Sequence, residues 1–422
     1  MRKHLLLLTL ICGLMQTHAQ ERLIVVNEGM WQTDNGRLTY FEDGEIVSNQ
    51  WFRDNNGKKL GDTPNDIIQV NDNLIAIALN WSNIIQFIHP DGKEAGATED
   101  VPNNRKLATD GSYVYATSYA HEVGINGATR RFAKGYVAKI DINDFKVKDA
   151  VEVGFEPEGI ACYKGFLFVA NTGGYAFQED HEYESTVSVI DAETMQVVRT
   201  VETGQINLYS KMSQSGRFLC INSPGDYYEV NAATVILDCD AVLENKADEE
   251  CCRILDYAAT ANCTDMNGNF FAIGSHYSYL SGEYEFNYVT IDAEEAFETD
   301  GESGIEEDFP GTVKEDISAM SMPYGIYVNP YTGYIYATDA GEYTGAGTLY
   351  QWSPEGELLG KFKTYINPGH FLALPPDLST NASILADDGS ATDNNIYNLY
   401  GIKVDNPKRG EIYIQNRKKI IF

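Results

Sequence analysis

The side chains of this 422-residue chain that could do chemistry are carboxylates, imidazoles and thiols, and none of them falls into a known catalytic motif. Pairs such as Glu156 and Glu158 are common in a chain with 62 acidic residues, so a single pair is weak evidence for a glycosidase. The sequence contains no G-x-S-x-G, H-E-x-x-H or P-loop motif, and five widely separated histidines follow position 20. It therefore predicts no catalytic residues, and an enzyme is the alternative interpretation.

The sequence also predicts no metal site and no bound cofactor. The segments DINDF and DAEEAFE lack the glycine and the terminal glutamate of a calcium loop. Cys239, Cys251 and Cys252 are close in sequence, but adjacent cysteines without a second C-x-x-C or a nearby histidine make a poor zinc site. A local disulfide bridge or buried thiols are the favoured interpretations, and the spacing does not choose a pairing.

Aromatic residues indicate binding instead. They follow short apolar segments, together with asparagine, aspartate and histidine, and tyrosine and tryptophan offer flat apolar area with one polar group. This composition suits a large planar ligand with amide or hydroxyl groups. About half of these rings are expected to pack inside the fold instead, and the alternative interpretation of the asparagines is that they serve their own turns through side-chain hydrogen bonds. The candidates in this set are Asn27, Trp31, Asn80, Trp81, Tyr119, His121, Asn171, Tyr175, Phe177, Tyr227, His276, Tyr277, Asp339 and Tyr343.

The elements that position these residues form a repeat. A short β-rich segment recurs seven times, starting at residues 23, 74, 113, 166, 218, 270 and 334. The separations of 51, 39, 53, 52, 52 and 64 residues are close to the length of a four-stranded propeller blade with loop insertions. Most copies are preceded by another apolar segment and a turn, as in PEGIACYKG before FLFVANT, which indicates a hairpin of an inner and a second strand. The sequence thus predicts an all-β fold, a seven-bladed β-propeller.

The two ends of the repeat predict how the ring closes. The first copy lacks an inner strand, whereas residues 367–376 provide a spare one after the seventh copy. Pairing of Phe371–Leu374 with the first blade would remove the open edge of a linear stack. A stacked sandwich does not predict this arrangement, and a right-handed β-helix has much shorter repeats.

In a propeller, the loops that enter inner strands and leave second strands share one face, so they form one rim around the channel. The loops that enter inner strands therefore add a second set of candidates to the aromatic set above. That set is Asp66, Arg105, Glu158, Tyr209, Tyr324 and His370.

Charge excludes one class of partner. The chain has 31 Lys and Arg against 62 Asp and Glu, a formal net charge of −31. Such a field repels phosphate backbones and anionic lipid headgroups, so nonspecific nucleic-acid binding is excluded.

The N-terminus predicts export. Met1, Arg2 and Lys3 precede an apolar run from Leu5 to Leu14, which is about half the length of a membrane span and is typical of a signal peptide cleaved after Ala19. Ile11 before Cys12 disfavours a lipoprotein signal, which requires a small residue there. We expect a signal peptide over residues 1–19, and a protein of the periplasm, the outer-membrane surface or the extracellular space.

Composition divides the rest of the chain into a propeller over residues 20–376, a polar linker over 377–394 and a β-rich tail over 395–422. The tail resembles the C-terminal sorting segments of exported proteins from gut and oral Gram-negative anaerobes, on Tyr397, Leu399, Gly401, Val404 and Gly410 and the residues after them. A small β module that packs on the propeller is the equal alternative.

The segments IVVNEGMWQTDNG and KKLGDTPNDIIQ resemble the YncE-like exported propellers of gut Gram-negative anaerobes, through Asn27, Glu28, Gly29 and Trp31 and through the Leu60-Gly61-Asp62 turn. That group includes surface propellers that capture cobalamin and pass it to a TonB-dependent outer-membrane transporter. The resemblance implies a monomeric, non-catalytic protein with cobalamin as ligand rather than cofactor, and such a transporter as partner. A glycan- or cell-wall-binding propeller and a metal-dependent lactonase or lyase are the alternatives.

Overall fold

The computed structural model describes residues 21–120, 133–176, 181–278, 283–376, 396–397, 412–415 and 418–421. The predicted signal peptide (residues 1–19) and the predicted linker (377–394) lie outside these ranges, as does much of the predicted tail. A compact unit comprises Arg22–Pro375. The fold below is that of this unit.

The compact unit consists of seven four-stranded antiparallel sheets, which are the blades of a propeller and are numbered in chain order. The inner strands of blades 1 to 7 are β28 (Pro368–Leu374), β4 (Pro64–Asn71), β8 (Asn104–Thr109), β12 (Pro157–Tyr163), β16 (Tyr209–Ser215), β20 (Ala261–Thr264) and β24 (Pro323–Val328). The second strands are β1 (Arg22–Asn27), β5 (Leu74–Leu79), β9 (Tyr113–Ser118), β13 (Phe166–Asn171), β17 (Phe218–Ser223), β21 (Phe270–Ser278) and β25 (Ile335–Asp339).

The outer half of each blade has the same order. The third strands are β2 (Arg37–Glu42), β6 (Ile84–Ile88), β10 (Tyr136–Asp141), β14 (Thr186–Asp191), β18 (Ala233–Asp238), β22 (Glu283–Ile291) and β26 (Thr348–Trp352). The outer strands are β3 (Glu45–Ser48), β7 (Glu94–Ala97), β11 (Val147–Glu152), β15 (Gln196–Glu202), β19 (Cys252–Leu255), β23 (Ile305–Glu306) and β27 (Leu358–Lys363).

The apolar core lies between the blades. Alternate residues of a strand point to opposite faces of its sheet, so a strand buried on both faces is apolar throughout. In β5, Ile75 and Ile77 pack against blade 1, whereas Ala76 and Ala78 pack against blade 3. The buried residues form seven such clusters, each joining two neighbouring blades. This pattern explains why the second strands give the clearest repeat in the sequence.

Ring closure occurs as the sequence predicts. Strand β28 pairs antiparallel with β1, so that Val25 lies opposite Phe371 and Leu23 opposite Ala373. The last strand of the compact unit is thus the inner strand of the first blade. The predictions of seven blades and of this closure are both confirmed.

The described part of the chain has five short helices in loops between strands: α1 (Trp51–Asn56), α2 (Cys239–Leu243), α3 (Asp248–Cys251), α4 (Ala293–Glu298) and α5 (Val313–Ser318). None of the helices in the described ranges has the length and hydropathy needed to cross a membrane. The six described cysteines are free thiols, and all but Cys162 are buried.

The C-terminal region contains a separate antiparallel sheet of three short strands. These are β29 (Ile396–Tyr397), β30 (Ile412–Gln415) and β31 (Lys418–Ile421). Tyr397 pairs with Ile414, and Tyr413 pairs with Ile420.

Candidate functional site

The inner strands enclose a cavity of about 740 Å³, a volume typical of small-molecule sites. Its lining extends from the starts of the inner strands, at Tyr209 and Tyr324, to their far ends, at Gln214 and Thr264. The cavity therefore runs along the central channel and is lined by the inner strands of several blades.

β-Bulges determine which side chains reach the channel. The pairing register between inner and second strands shifts at the start of the inner strand in blades 1, 2, 3, 4, 5 and 7, whereas blade 6 pairs without a shift there. A bulge adds a residue to one strand and re-aims side chains, and bulges are frequent beside functional sites. In blade 3 the bulge contains Arg105 and Lys106, which both line the cavity although they are consecutive in sequence.

The loops that enter these bulged strands share a backbone feature. A non-glycine residue with positive φ precedes the inner strand in five blades. This conformation is uncommon outside glycine and turns the chain sharply into the strand. The residues are Thr63, Asn103, Glu156, Asn207 and Asn367.

Blades 3 and 4 are joined by a buried ion pair. Arg105 Nε and Nη2 both lie 2.6 Å from Glu158 Oε1. The Tyr119 hydroxyl donates to the same carboxylate oxygen, and the Arg105 guanidinium lies 4.7 Å from the centre of the Tyr119 ring. Burial would lower the pKa of Arg105, but Glu158 and Tyr119 hold it well above its usual value. Glu158 is fully buried, so Arg105 is fixed at the cavity wall.

A second ion pair crosses the channel from blade 5 to blade 2. Lys211 Nζ donates to Asp66 Oδ1 at 2.7 Å, and the backbone amides of Ile67 and Leu107 also donate to the Asp66 carboxylate. Burial would raise the pKa of Asp66, but Lys211 and the other nearby positive charges hold it below its usual value. The carboxylate therefore stays ionised at neutral pH.

Blade 1 supplies a histidine–carboxylate pair at the same level. His370 Nε2 lies 2.9 Å from Glu28 Oε1, and the Tyr324 hydroxyl of blade 7 donates to Glu28 Oε2 at 2.8 Å. Burial, followed by repulsion from Lys106, lowers the pKa of His370 below its usual value. Burial would raise the pKa of Glu28, but the hydrogen bonds from His370 and Tyr324 hold it low. A neutral imidazole thus donates to an ionised carboxylate.

The rim above the channel carries pairs of aromatic rings. Trp31 and Trp81 meet edge to face at 4.7 Å between ring centres. Tyr119 and Tyr175 do so at 5.3 Å, and Tyr324 and Tyr343 at 5.8 Å. The first two contacts each join loops that leave the second strands of neighbouring blades, and the third joins inner strand β24 to the loop after β25.

Exposure separates this rim from the rest of the surface. Five aromatic side chains are among the exposed large hydrophobic residues of the described chain, and all five lie in loops or strand starts on the rim face. They are Trp31, Tyr209, Tyr227, Tyr228 and Tyr343. Exposed aliphatic residues such as Val198 and Leu359 lie on outer strands instead.

Blade 4 places a further histidine–carboxylate pair at the rim. His181 Nε2 lies 2.8 Å from Glu156 Oε2, and the His181 ring stacks on Phe155 at 4.0 Å between ring centres. Glu156 is fully buried, so the imidazole covers it from solvent. His181 was not among the predicted site residues, because nothing in the sequence around it indicates that Glu156 is its partner.

The predicted site residues of the described chain fall into four groups. Those that line the cavity are Arg105, Tyr209, Tyr324, Tyr343 and His370. Those that contact cavity-lining side chains are Asp66, Glu158 and Tyr119, whereas Trp31, Trp81, Tyr175 and Tyr227 lie on the rim. His121 and Phe177 lie outside the described residues; His276 and Tyr277 lie in β21, but their side chains are outside the description.

The fourth group is bonded within the blades and consists of three buried asparagines and the half-buried Asp339. Asn171 donates to Thr186 and Ser188 and accepts from the Gly154 amide. The Asn27 amide likewise bonds to its own blade and accepts from Tyr365 N. Asn80 donates to Asn103 and Asn104, and Asp339 accepts from the backbone amides of Met322, in the loop before β24, and of Gly341, in its own turn. These side chains join strand ends to neighbouring strands and loops.

Three charged residues at the cavity were not among the predicted site residues: Glu28, Lys106 and Lys211. The two lysines could have been found from the sequence. Basic residues are half as frequent as acidic ones in this chain, yet each of these lysines lies at the start of an inner strand. Alternation alone places Lys106 on the opposite face from Arg105, and only the bulge brings both to the channel.

Solved structures confirm the fold alone. A quinoprotein alcohol dehydrogenase-like protein from Bacteroides thetaiotaomicron is similar with a TM-score of 0.53 and 12% identity, over 83% of this chain and 77% of that one. A functionally unknown protein from Desulfotomaculum acetoxidans gives 0.52 and 12%, over 84% and 99%. Hydrazine synthase from Kuenenia stuttgartiensis gives 0.51 and 14%, over 73% and 88%.

No curated protein matches the chain at a significant level. A family profile matches residues 22–354, which include the second strand of blade 1 and reach the end of β26. This match covers well over half of the sequence and nearly all of the ring. The chain belongs to the family described as a domain of unknown function, DUF5074.

Proposed function

We propose that this protein is an exported, non-catalytic propeller that captures a large planar ligand at its aromatic rim, with cobalamin as the specific candidate. The observation that carries the proposal is the position of the exposed aromatic side chains, which lie on one face among the described residues. Exposed aromatic rings cost solvation free energy unless a partner covers them, and clustered patches mark binding sites.

The cavity supports the same proposal from below the rim. Its wall combines tyrosines with amide and hydroxyl groups, including Asn65, Asn262, Ser213 and Thr260. A ring-shaped ligand with amide side chains would stack on the rim and place polar groups in the channel. The resemblance to YncE-like propellers adds cobalamin by name, and a TonB-dependent transporter as the receiving partner.

Titration with cyanocobalamin tests the proposal. The double variant Trp31→Ala/Tyr343→Ala removes two rim rings that are 62% and 42% exposed, and its control Val198→Ala/Leu359→Ala removes equally exposed aliphatic side chains from outer strands. We expect saturable binding by calorimetry and by the corrin absorbance band, weakened about tenfold or more in the rim variant, because a buried aromatic contact contributes at least 1.4 kcal/mol. The control should bind as the wild type does.

No saturation with the wild type would reject cobalamin, and equal affinity in the rim variant would reject the aromatic rim as its binding site. A glycan is the second candidate, since aromatic faces also stack on sugars and the cavity wall is rich in hydroxyl groups. An oligosaccharide that binds to the wild type, and that the rim variant fails to bind, would replace cobalamin with this class.

A further inference from the structure

Lys106 is a cation without a carboxylate partner in the wall of the cavity. Its side chain lies in the bulge of β8, and the residue is only 5% exposed. The Nζ atom donates to the backbone carbonyl of Asn65 at 2.7 Å, and no ion pair joins it to a described carboxylate. A neutral carbonyl occupies one of the three donors of the ammonium group.

The other charged groups around the cavity form ion pairs or hydrogen bonds with one another or with neighbouring side chains. Arg105 pairs with Glu158, and Lys211 pairs with Asp66. Glu28 accepts from His370 and Tyr324. Lys106 is therefore the fixed positive charge of the described cavity wall that no carboxylate contacts directly.

Burial of an unpaired charge is unfavourable, because the lost hydration is not replaced. Burial accordingly lowers the pKa of Lys106, and the more distant Glu158 and Asp66 offset this effect only in part. An anionic oxygen in the cavity would restore a direct counter-charge and accept the remaining hydrogen bonds. The nearby carboxylates of Glu158, Asp66 and Glu28 bond directly to Arg105, Lys211 and His370, so direct contact with the Lys106 ammonium group is left for a ligand.

We propose that Lys106 binds an anionic oxygen group of the ligand, a phosphate or a carboxylate, inside the channel. The inference rests on the proposed function only in placing a ligand in this cavity. It specifies the ligand class further: a planar ring held at the rim must carry an anionic group that reaches the inner strand of blade 3. Arg105 and Lys211 border the same cavity and add to the positive potential, while Asp66, Glu158 and Glu28 oppose it.

The test uses the full chain and small anions that lack any ring. Inorganic phosphate and acetate are titrated by calorimetry at constant ionic strength, into the wild type, Lys106→Met and Lys148→Met. Lys148 is the matched control, since it lies on the outer strand of the same blade and pairs with Asp144. We expect saturable binding of at least one anion to the wild type, weakened tenfold or more in Lys106→Met and unchanged in Lys148→Met.

The two probes distinguish a phosphate site from a carboxylate site by their relative affinities. Absence of binding of both anions, or equal binding to Lys106→Met, would overturn the inference. We expect Lys106→Met to fold, because it removes a buried charge. If it does not, Lys106→Gln provides the same comparison. Titration of the wild type with phosphate and acetate, compared with titration with chloride, still decides whether an anion site exists.

A corrinoid pair keeps this result separate from the proposed function. Cyanocobalamin contains a phosphodiester, and dicyanocobinamide has the same ring without it. If both bind, Lys106→Met should weaken cyanocobalamin tenfold and leave dicyanocobinamide unchanged; equal weakening of both would count against the inference. If neither corrinoid binds but phosphate or acetate does, the named ligand is wrong and the anion site stands.

Discussion

The Nζ atom of Lys211 lies 2.7 Å from Oδ1 of Asp66, which joins blade 5 to blade 2 across the central channel. Two blades separate them on one side of the ring and three on the other, so the pair spans the channel. Asp66 is fully buried, whereas the Lys211 side chain is 39% exposed and faces the cavity. One ion pair thus fixes opposite sides of the ring at the level of the candidate site.

Removal of this lysine should destabilise the fold. In Lys211→Met the buried Asp66 carboxylate keeps only its backbone donors, and we expect the free energy of unfolding at pH 7 to fall by about 1–3 kcal/mol. Asp66 has a depressed pKa in the folded state, so the stabilisation exists above its unfolded value of 3.8 and is lost as the pH falls through the folded pKa. Urea unfolding should therefore show a smaller difference between variant and wild type in acid. A Lys148→Met control should leave the free energy of unfolding close to the wild-type value, because its ion pair with Asp144 lies at the surface.

Ring closure depends on packing of the last strand. Phe371 is 7% exposed and stacks on Tyr327 at 5.6 Å between ring centres, which ties β28 to blade 7. Phe371→Ala should lower the free energy of unfolding by about 3–5 kcal/mol, as large buried aromatic truncations do. Leu359→Ala, on an exposed outer strand, is the control and should have little effect. Equal unfolding midpoints for the two variants would contradict closure through this strand.

His370 should make the fold sensitive to mild acid. Its folded pKa lies below the unfolded value of 6.5, so its contribution to stability is present above that pH and is lost as the pH falls through the folded pKa. Burial and Lys106 lower the pKa, and Glu28 and Asp66 oppose them. The His370→Gln variant keeps a hydrogen-bond donor but cannot titrate. We expect wild-type stability, measured relative to this variant by urea unfolding, to decrease from pH 7.5 to pH 5, whereas parallel pH profiles would exclude His370 as the cause.

Tryptophan fluorescence should report on the rim. Of the four tryptophans, Trp31 is 62% exposed, whereas Trp51 is 8% exposed and Trp352 is buried. Trp31→Phe should remove most of the fluorescence that iodide quenches in the free protein. Trp51→Phe is the control, because that ring stacks on Tyr40 inside the fold, and the quenchable fraction should then stay or rise. A Trp31→Phe variant quenched like the wild type would place this ring away from solvent.

The repeat could be predicted because each strand carries its own signal. In LIAIAL of β5, alternate residues pack against different neighbouring blades. Both faces of the strand are buried, so all six consecutive residues are apolar. Ring closure could also be predicted from the sequence. The first copy of the repeat lacks an inner strand, and the segment that contains Phe371 supplies it. The convergence of strand ends likewise predicted that Arg105, Tyr209 and His370 would meet at one channel.

The chemistry of the channel depended on the tertiary structure. Asn171 and Asn27 look like ligand residues in the sequence, but the fold supplies donors and acceptors that satisfy them inside the blades. Lys211 and Asp66 are 145 residues apart, and only the radius of the closed ring brings them within an ion-pair distance. The bulge in β8 breaks the two-residue alternation and turns Lys106 toward the cavity beside Arg105. The sequence by itself determined the blades through local periodicity, whereas the partners of the channel charges were decided by register shifts and ring geometry, which no local pattern encodes.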